Sequence, residues 1–326
     1  MSNSNRRALI TGITGQDGAY LAKFLIEKNY KVFGTYRRIS TPNFWRLQAL
    51  DIKDKITILP LELSDSSSII SALEVSQPHE IYNLAAQSFV ESSFDNPIYT
   101  TDVSGVGVLR LLEVLRHHCP ETRLYQASTS EMYGDNRSGE LSEESPFAPS
   151  SPYAAAKLLA HNNVKIYRES YNLFLSNGIL FNHESPLRGL EFVTRKITNE
   201  VAKIKLGISK SISLGNIKSS RDWGYAPDYV EAMWLMLQND KPESYVIATG
   251  IIHTISDFLD VAFQNIGVTN WENHVVQDPA FMRPADVHYL AGDSSKARVE
   301  LGWKPKVSFD EMIERMVKND INLHKE

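Results

Sequence analysis

Apolar residues follow two alternating patterns along the first half of the chain. Short apolar runs predict β-strands over residues 7–11, 31–36, 56–61, 80–84 and 123–127. Apolar residues at helical spacing predict α-helices between them, over residues 17–28, about 65–76 and 103–117. Strands that alternate with helices in this way are typical of βαβ units, so we predict a Rossmann-type, doubly wound parallel sheet.

The pattern is less regular in the second half. A sixth strand is predicted over residues 174–180, and short helices and loops follow it. We therefore predict an α/β protein with a Rossmann domain over residues 1–180 and a smaller, interleaved C-terminal lobe over residues 181–326. Segments near residues 217–248 are expected to return to the first domain.

Composition narrows the class of protein. The 326 residues are 42% hydrophobic and 22% charged, which is ordinary for a soluble globular chain of two lobes. The net charge of -5 without a block of like charge argues against a nucleic-acid partner. No apolar run is long enough for a signal peptide or a membrane span. Cys119 is the only cysteine, so we expect no disulfide, no metal site and a cytoplasmic location.

A glycine-rich turn lies between the first predicted strand and the first predicted helix. It comprises Gly12, Thr14, Gly15, Gln16, Asp17 and Gly18. Glycines at this spacing allow a tight turn, close approach of a pyrophosphate to the main chain and close packing of helix on strand. The first N–H groups of the helix also favour phosphate. The turn predicts a dinucleotide site, with an ordinary glycine-rich loop as the alternative.

The end of the second predicted strand bears on which dinucleotide binds. NAD sites usually place Asp or Glu there for the ribose 2′-hydroxyl, whereas NADP sites place Arg nearby. This chain has Arg37 and Arg38 and no acidic residue at that point. Two guanidinium groups suit a 2′-phosphate, so we predict NADP; a pair of solvated surface arginines is the alternative. Small residues that would let the cofactor lie against the main chain follow the fourth strand, in the run Leu84, Ala85, Ala86, Gln87 and Ser88.

Tyr153 and Lys157 form a candidate catalytic pair. Ser151 and Pro152 are typical of a helix start, so the pair, four residues apart, is expected on one helix face. An ammonium beside a phenol lowers the pKa of the phenol, and Tyr153 could then act as a base near neutral pH. Such pairs are common on solvated helices, and the glycine turn upstream is what favours the catalytic interpretation.

Thr129 and Glu131 follow the fifth predicted strand, whose carboxyl end should open onto the same crevice. Thr129 can hydrogen-bond a substrate hydroxyl, and Glu131 can remove a carbon-bound proton. The alternative is a turn residue followed by a surface acid.

These motifs together resemble the extended short-chain dehydrogenase/reductases, and within them the GDP-mannose 4,6-dehydratases, from Ala8 to about Pro305. The resemblance also rests on the runs Tyr82–Ser88, Asn177–Pro186, Phe192–Ile197 and Arg221–Gly224. It implies that Tyr153 takes the O4 proton of the sugar while hydride passes from C4 to NADP. Glu131 would then remove the C5 proton and help to expel the C6 hydroxyl as water, and the hydride would return to C6. Lys157 would support Tyr153 and the nicotinamide ribose, and Thr129 would hold O4.

The resemblance also implies further binding residues. Beyond the turn, Arg37, Arg38 and the run after the fourth strand, the cofactor contacts would come from Glu62, Leu63, Tyr99, Lys157, His183 and Arg188. The nucleotide sugar would be held by Ser88, Ser93, Glu131, Asn182, Val193, Lys196, Gly215, Arg221 and Arg283. Its diphosphate suits the cations of that set.

Departures from the family pattern leave alternatives open. Phe89 stands where His is common and Asp286 where Glu is common, so a related GDP-sugar such as a GDP-manno-heptose competes with GDP-mannose as the substrate. The loop over residues 38–54 is shorter than usual, which leaves the homo-oligomer open between a dimer and a tetramer. A GDP-sugar 4-reductase or epimerase, and a non-catalytic NADP-binding protein, are the other functions considered. The presence of Glu131 favours dehydration.

Overall fold

The computed structural model of the protein describes residues 6–135, 139–281 and 290–325. Its strands are β1 (Arg7–Thr11), β2 (Lys31–Tyr36), β3 (Thr57–Pro60), β4 (Glu80–Asn83), β5 (Arg123–Thr129), β6 (Leu175–Leu180), β7 (Asn182–Glu184), β8 (Ile212–Leu214), β9 (Ser220–Tyr225), β10 (Ser244–Ile247), β11 (Ile252–Thr254) and β12 (Val275–Gln277). Its α-helices are α1 (Gln16–Glu27), α2 (Trp45–Ala49), α3 (Ser66–Ser76), α4 (Ser92–Asp95), α5 (Pro97–Thr101), α6 (Gly107–His118), α7 (Pro152–Tyr171), α8 (Val193–Lys205), α9 (Ala226–Gln238), α10 (Ile255–Gln264), α11 (Ser295–Glu300) and α12 (Phe309–Leu323).

The predicted doubly wound parallel sheet is confirmed. Seven strands lie in the order β10-β6-β5-β4-β1-β2-β3, and neighbouring strands are parallel. Successive residues of β1 point to opposite faces, so Ile10 packs with α1 and α9 while Leu9 packs with α3, α6 and α7. Both faces are therefore covered by helices. The strand order reverses between β1 and β4, and a ligand crevice is expected outside the carboxyl ends of those strands.

The second half of the chain adds small sheets and a separate apolar core. Strands β11, β9 and β7 form a three-stranded sheet, and β12 pairs with β8. A third apolar cluster, built on side chains of α8, α10 and α12, packs beside them. Strand β10 belongs to the large sheet and helix α9 packs on it, whereas β9 lies in the three-stranded sheet. The position of the boundary between the two domains stays a prediction.

The helix predicted over residues 103–117 differs from the observed one in its first turn. A π-helical turn over Asp102–Val106 joins α5 to α6. Gly105 lies close to α7, where an added Cβ would be 3.2 Å from the carbonyl oxygen of Ala156. The wide turn lets the two helices approach closely, and hydrophobic periodicity alone does not reveal it.

A buried ion pair attaches the last helix to a loop of the second lobe. Arg195 on α8 is 4% exposed and donates to both carboxylate oxygens of Asp320 on α12, each at 3.0 Å from Nε. The same guanidinium donates to the carbonyls of Pro186 and Arg188, at 2.5 and 3.0 Å. Helix α12 is thereby connected to the loop that carries Arg188. Among the described helices, none is both long and apolar enough to cross a membrane.

Candidate active site

A cavity of about 350 Å³ opens where the central strands of the large sheet end. Gly12, Leu84, Thr129 and Leu180 line it from the ends of β1, β4, β5 and β6. Residues of the second lobe close the other side. The remaining predicted residues that line the cavity are Gly15, Gln16, Asp17, Gly18, Ala86, Ser88, Glu131, Tyr153, Lys157, Asn182, His183, Arg188, Val193, Gly215 and Arg221. Predicted site residues from both halves of the chain therefore meet in a single cavity.

The glycine turn at the start of α1 has the geometry of a phosphate-binding turn. Gly12 has a φ of +70°, and a Cβ there would lie 3.0 Å from the main-chain nitrogen of Ala85. A Cβ on Gly18 would lie 2.5 Å from the carbonyl oxygen of Gly12. Gly15 occupies the N-cap position without a side-chain cap, so no side chain covers the positive end of the helix. The residues present therefore fit a dinucleotide pyrophosphate.

Tyr153 and Lys157 lie on the first two turns of α7. The Ser151 hydroxyl caps this helix, accepting from the Ala154 N–H at 3.1 Å. Both side chains are buried, yet both line the cavity. The Lys157 ammonium donates to the carbonyl oxygen of Ala127 at 2.5 Å. The expected shared helix face is therefore observed.

The expected lowering of the pKa of Tyr153 by Lys157 is wrong for the protein groups alone. Burial and the Glu131 carboxylate raise the pKa of Tyr153 to about 12, and the interaction with the Thr129 hydroxyl opposes them only in part. Burial also lowers the pKa of Lys157 to about 8, against a smaller opposing effect of Asp17. Desolvation disfavours both charged forms, and the Arg188 charge also acts against the rise in the pKa of Tyr153.

Thr129 and Glu131 lie where β5 ends and a 3-10 turn over Ser130–Tyr133 begins. The Thr129 hydroxyl caps this turn, accepting from the Glu131 N–H at 3.3 Å. Thr129, Glu131 and Tyr153 all line the cavity, and the pKa of Tyr153 responds to the other two. A phenol, a hydroxyl and a carboxylate thus converge on one space, as acid–base chemistry on a hydroxylated substrate requires.

His183 pairs with Asp17 in the cavity lining. The His183 Nε2 lies 2.8 Å from Asp17 Oδ2, and its Nδ1 lies 2.7 Å from the carbonyl oxygen of Phe181. Both partners accept hydrogen bonds, which only a doubly protonated ring can donate. Burial alone would lower the pKa of His183, but these two partners raise it overall. Arg188 lies nearby, with Nε 3.2 Å from Glu184 Oε2.

The predicted cofactor residues near the outer strands lie outside the cavity lining. Arg37 and Arg38 are exposed directly after β2, and Arg37 contacts the Tyr99 hydroxyl. Glu62 and Leu63 follow β3. Strand β2 lies next to β1 in the sheet. The residues that follow β2 therefore extend the row of candidate cofactor contacts away from the glycine turn. Thr14, Ala85 and Gln87 lie within the predicted runs but also outside the lining.

Three predicted substrate-binding residues are not among the described residues that line the cavity. Lys196 lies outside the lining, where its ammonium donates to the carbonyl of Ser213 at 2.7 Å and lies 3.8 Å from the centre of the Phe281 ring. Ser93 is fully buried, and its hydroxyl donates to the carbonyl of Val90 at 2.5 Å. Arg283 lies outside the described residues, as does Asp286.

The cavity also contains residues that the sequence interpretation missed. Glu184, Phe192, Thr194, Asn216, Ser219, Trp223, Ile255 and Phe281 line it. Glu184, Phe192, Thr194 and Trp223 fall within the runs that carry the family resemblance, which was an available signal. Ile255 comes from the start of α10, and nothing in the local sequence indicates its proximity to the site.

Comparison with known proteins gives long matches. Residues 9–316 match the family model described as GDP-mannose 4,6 dehydratase. The Arabidopsis thaliana protein GDP-mannose 4,6 dehydratase 1 is 51% identical over 98% of this chain and 90% of its own length. The Homo sapiens GDP-mannose 4,6 dehydratase is 49% identical over 99% of this chain and 93% of its own length.

Solved structures of similar shape are more distant in sequence. UDP-glucose 4-epimerase from Thermotoga maritima superposes with a TM-score of 0.87 at 24% identity and covers 99% of this chain and 100% of its own. dTDP-glucose 4,6-dehydratase from Bacillus anthracis, in complex with NAD, gives 0.84 at 22%, covering 98% and 97%. RMD from Pseudomonas aeruginosa, complexed with NADPH, gives 0.81 at 20%, covering 98% of each. These structures show the fold, and the long sequence matches show that this chain belongs to the GDP-mannose 4,6-dehydratase family.

Proposed function

We propose that this protein converts GDP-mannose to GDP-4-keto-6-deoxymannose on a bound NADP, as a step in deoxysugar biosynthesis. The observation that carries the proposal is the convergence of Tyr153 and Glu131 on one cavity beside the glycine turn. Oxidation of an alcohol needs a base for a hydroxyl proton, and loss of water needs a separate base for a carbon-bound proton. The close GDP-mannose dehydratase relatives support the substrate.

The cavity residues then have separate roles. Tyr153 accepts the proton of the sugar O4, while Thr129 donates a hydrogen bond that holds O4. Glu131 removes the C5 proton, which the new 4-ketone makes acidic, and passes a proton to the departing C6 hydroxyl. Lys157 supports the phenolate and holds the nicotinamide ribose. An oxidised nicotinamide, held at the glycine turn and by Lys157, would supply the hydride acceptor and donor that the reaction requires.

The raised pKa of Tyr153 is consistent with these roles. Burial and the Glu131 carboxylate oppose phenolate formation, while Lys157, whose pKa burial lowers to about 8, still carries its charge near neutral pH. The oxidised nicotinamide ring is a cation and, when bound, would further favour the phenolate. The oxidised cofactor would thereby assist proton abstraction by Tyr153.

The choice of NADP rests on Arg37 and Arg38. Both are exposed after β2, where a ribose 2′-phosphate would lie, and no carboxylate occupies the end of that strand. The solved structures of similar fold include complexes with NAD and with NADPH, so a nicotinamide cofactor is common to both and the arginines favour the phosphorylated form. Tyr99 holds Arg37 and would fix the direction of its guanidinium group.

Replacing both arginines by alanine should weaken NADP binding by about 10²- to 10⁴-fold, since each of the two charge-assisted hydrogen bonds contributes about 1.5–3 kcal/mol. NAD binding should change little. Titration calorimetry with each dinucleotide measures both affinities. Arg110→Ala is the control, because Arg110 pairs with Asp102 away from the cavity. Equal losses for NAD and NADP would contradict a 2′-phosphate site.

The substrate proposal extends to the second lobe. Arg221 and Lys196 would hold the diphosphate, with Asn182 and Val193 beside the sugar, and Arg283 is proposed on the resemblance alone. Phe89 lies in the cavity wall and packs edge-to-face on Phe192, with ring centres 5.8 Å apart. An apolar wall at this point favours a different sugar substituent from the one that a histidine would accept. A GDP-manno-heptose is therefore the second candidate substrate.

The direct test is incubation with GDP-mannose and catalytic NADP in deuterated water, with the product followed by mass spectrometry. The proposed reaction predicts loss of one water, gain of one deuterium at C5 and no net NADPH. Net consumption of reduced cofactor would instead identify a reductase. An unchanged GDP-mannose, with turnover of a GDP-manno-heptose, would move the substrate to the second candidate.

A homo-oligomer and a cytoplasmic location complete the proposal. Exposed apolar side chains lie on the neighbouring helices α5 and α7, among them Ile98 at 84% and Ile166 at 53% exposure. Exposed apolar side chains on neighbouring helices favour association with a second copy, and sedimentation equilibrium distinguishes a dimer from a tetramer. The single cysteine, Cys119, suits a reducing compartment.

A further inference from the structure

Three polar side chains lie in register across the centre of the buried sheet. Thr11 ends β1, Asn83 ends β4, and Gln126 lies opposite Asn83 on β5. Their residues are 0%, 0% and 1% exposed. Strands of a parallel sheet that is covered on both faces are normally continuous runs of apolar residues, because each buried polar group needs a hydrogen-bond partner. Three such residues side by side therefore need a reason.

The three side chains form a directed chain of hydrogen bonds. The Thr11 hydroxyl donates to Asn83 Oδ1 at 2.6 Å, and Asn83 Nδ2 donates to Gln126 Oε1 at 2.7 Å. Gln126 Nε2 then donates to the carbonyl oxygen of Ala127 at 2.9 Å. The Thr11 hydroxyl also accepts from the N–H groups of Leu84 and Ala85, at 3.1 and 3.0 Å. The chain thus runs from the glycine turn to Ala127.

The carbonyl at the end of this chain is the acceptor for Lys157. Its oxygen receives the Lys157 ammonium at 2.5 Å in addition to the Gln126 amide. The carbonyl belongs to β5, the strand that ends at Thr129. We propose that Thr11, Asn83 and Gln126 position Lys157 by fixing the direction of the Ala127 carbonyl.

This arrangement explains how a buried ammonium is retained. Burial disfavours the charged form of Lys157, and the Asp17 carboxylate on α1 only partly opposes it. The other titratable groups on the same face of α7 are Tyr153, whose pKa is raised to about 12, and His161, whose pKa burial lowers to about 4. Both are neutral near neutral pH, so neither neutralises the ammonium. The Ala127 carbonyl accepts a hydrogen bond from the ammonium, and a hydrogen bond to the charged form favours that form.

The test uses Gln126→Met, which keeps the side-chain length and removes the donor to Ala127. Lys157 should then lose its fixed acceptor, and its pKa should fall below that of the wild type. Trace labelling of cofactor-free protein with acetic anhydride over a pH series, read by mass spectrometry of the Lys157 peptide, measures this pKa directly. Dehydratase turnover should fall by about 10- to 100-fold, as is typical of a small misplacement of a catalytic group.

Thr122→Val is the matched control, because Thr122 is buried and donates to the carbonyl of Pro78 away from the cavity. Asn83→Ala breaks the hydrogen-bond chain one link earlier, so it should lower the Lys157 pKa by a smaller amount. This variant provides a second test if Gln126→Met does not fold. An unchanged or raised Lys157 pKa in folded variants overturns the proposal. The importance of Lys157 for turnover rests on the proposed function, but the labelling result does not. If the Lys157 pKa shifts but the protein has no dehydratase activity, the positioning role of the three side chains stands and the proposed function fails.

Discussion

Tyr153→Phe is expected to lower dehydratase turnover by about 10³-fold, since removal of a positioned acid–base group costs about 10²–10⁴ in rate. The phenyl ring keeps the packing at this buried position, so the loss should come from the missing hydroxyl. Without it, no group accepts the O4 proton, and hydride transfer from C4 does not begin. Rapid mixing of the enzyme–NADP complex with GDP-mannose should then show no ultraviolet absorbance of reduced cofactor.

The matched control for this variant is Tyr125→Phe. Tyr125 is a buried tyrosine on β5 whose hydroxyl has no hydrogen-bond partner within the part of the chain that the structure describes. It does not line the cavity. Its replacement should leave turnover nearly unchanged. Normal formation of reduced cofactor in Tyr153→Phe would remove Tyr153 from the first step.

Glu131→Gln should stop the same reaction one step later. The amide keeps the size of the carboxylate but cannot remove the C5 proton, so water elimination should slow by about 10²–10⁴-fold. The first oxidation needs only Tyr153 and should persist. The variant should therefore accumulate reduced cofactor and 4-keto-mannose on mixing with GDP-mannose, and it should incorporate no deuterium at C5.

The control for Glu131 is Glu121→Gln, a carboxylate exposed before β5 and outside the cavity. Calorimetric titration with NADP should give wild-type affinity for both variants. The two active-site variants should differ in the reduced cofactor that they form. Tyr153→Phe is blocked before hydride transfer and should form none, whereas Glu131→Gln is blocked after it and should accumulate it. Wild-type turnover in Glu131→Gln would assign the elimination base to another residue.

The elements that position the site were largely predictable from the sequence. Strands β1 and β2 match the predicted ranges, and the Ser151 cap and the Pro152 start of α7 were evident from residue type. Local rules suffice here because an apolar run, a cap and a glycine turn each depend on neighbouring residues. The relation of Tyr153 to Lys157 follows from helical spacing in the same way.

Features of the site that depend on contacts between distant residues were not predictable from the sequence. The raised pKa of Tyr153 results from burial and from Glu131, which spacing within α7 does not show. Ile255 reaches the cavity only through the packing of the second lobe. Thr11, Asn83 and Gln126 stand in three separate strands, and only the strand register brings them together. Periodicity describes one element at a time, so contacts between elements escape it.

The Arg195–Asp320 pair makes helix α12 part of the ligand-binding energetics. Because Arg195 also holds the carbonyls of Pro186 and Arg188, detachment of α12 would release the loop that carries Arg188. A ligand that requires this loop in place favours the attached state, so its binding free energy is spread over the last helix as well. Hydrogen exchange in α12 should accordingly slow when the cavity is filled, although the helix contributes no residue to the cavity lining.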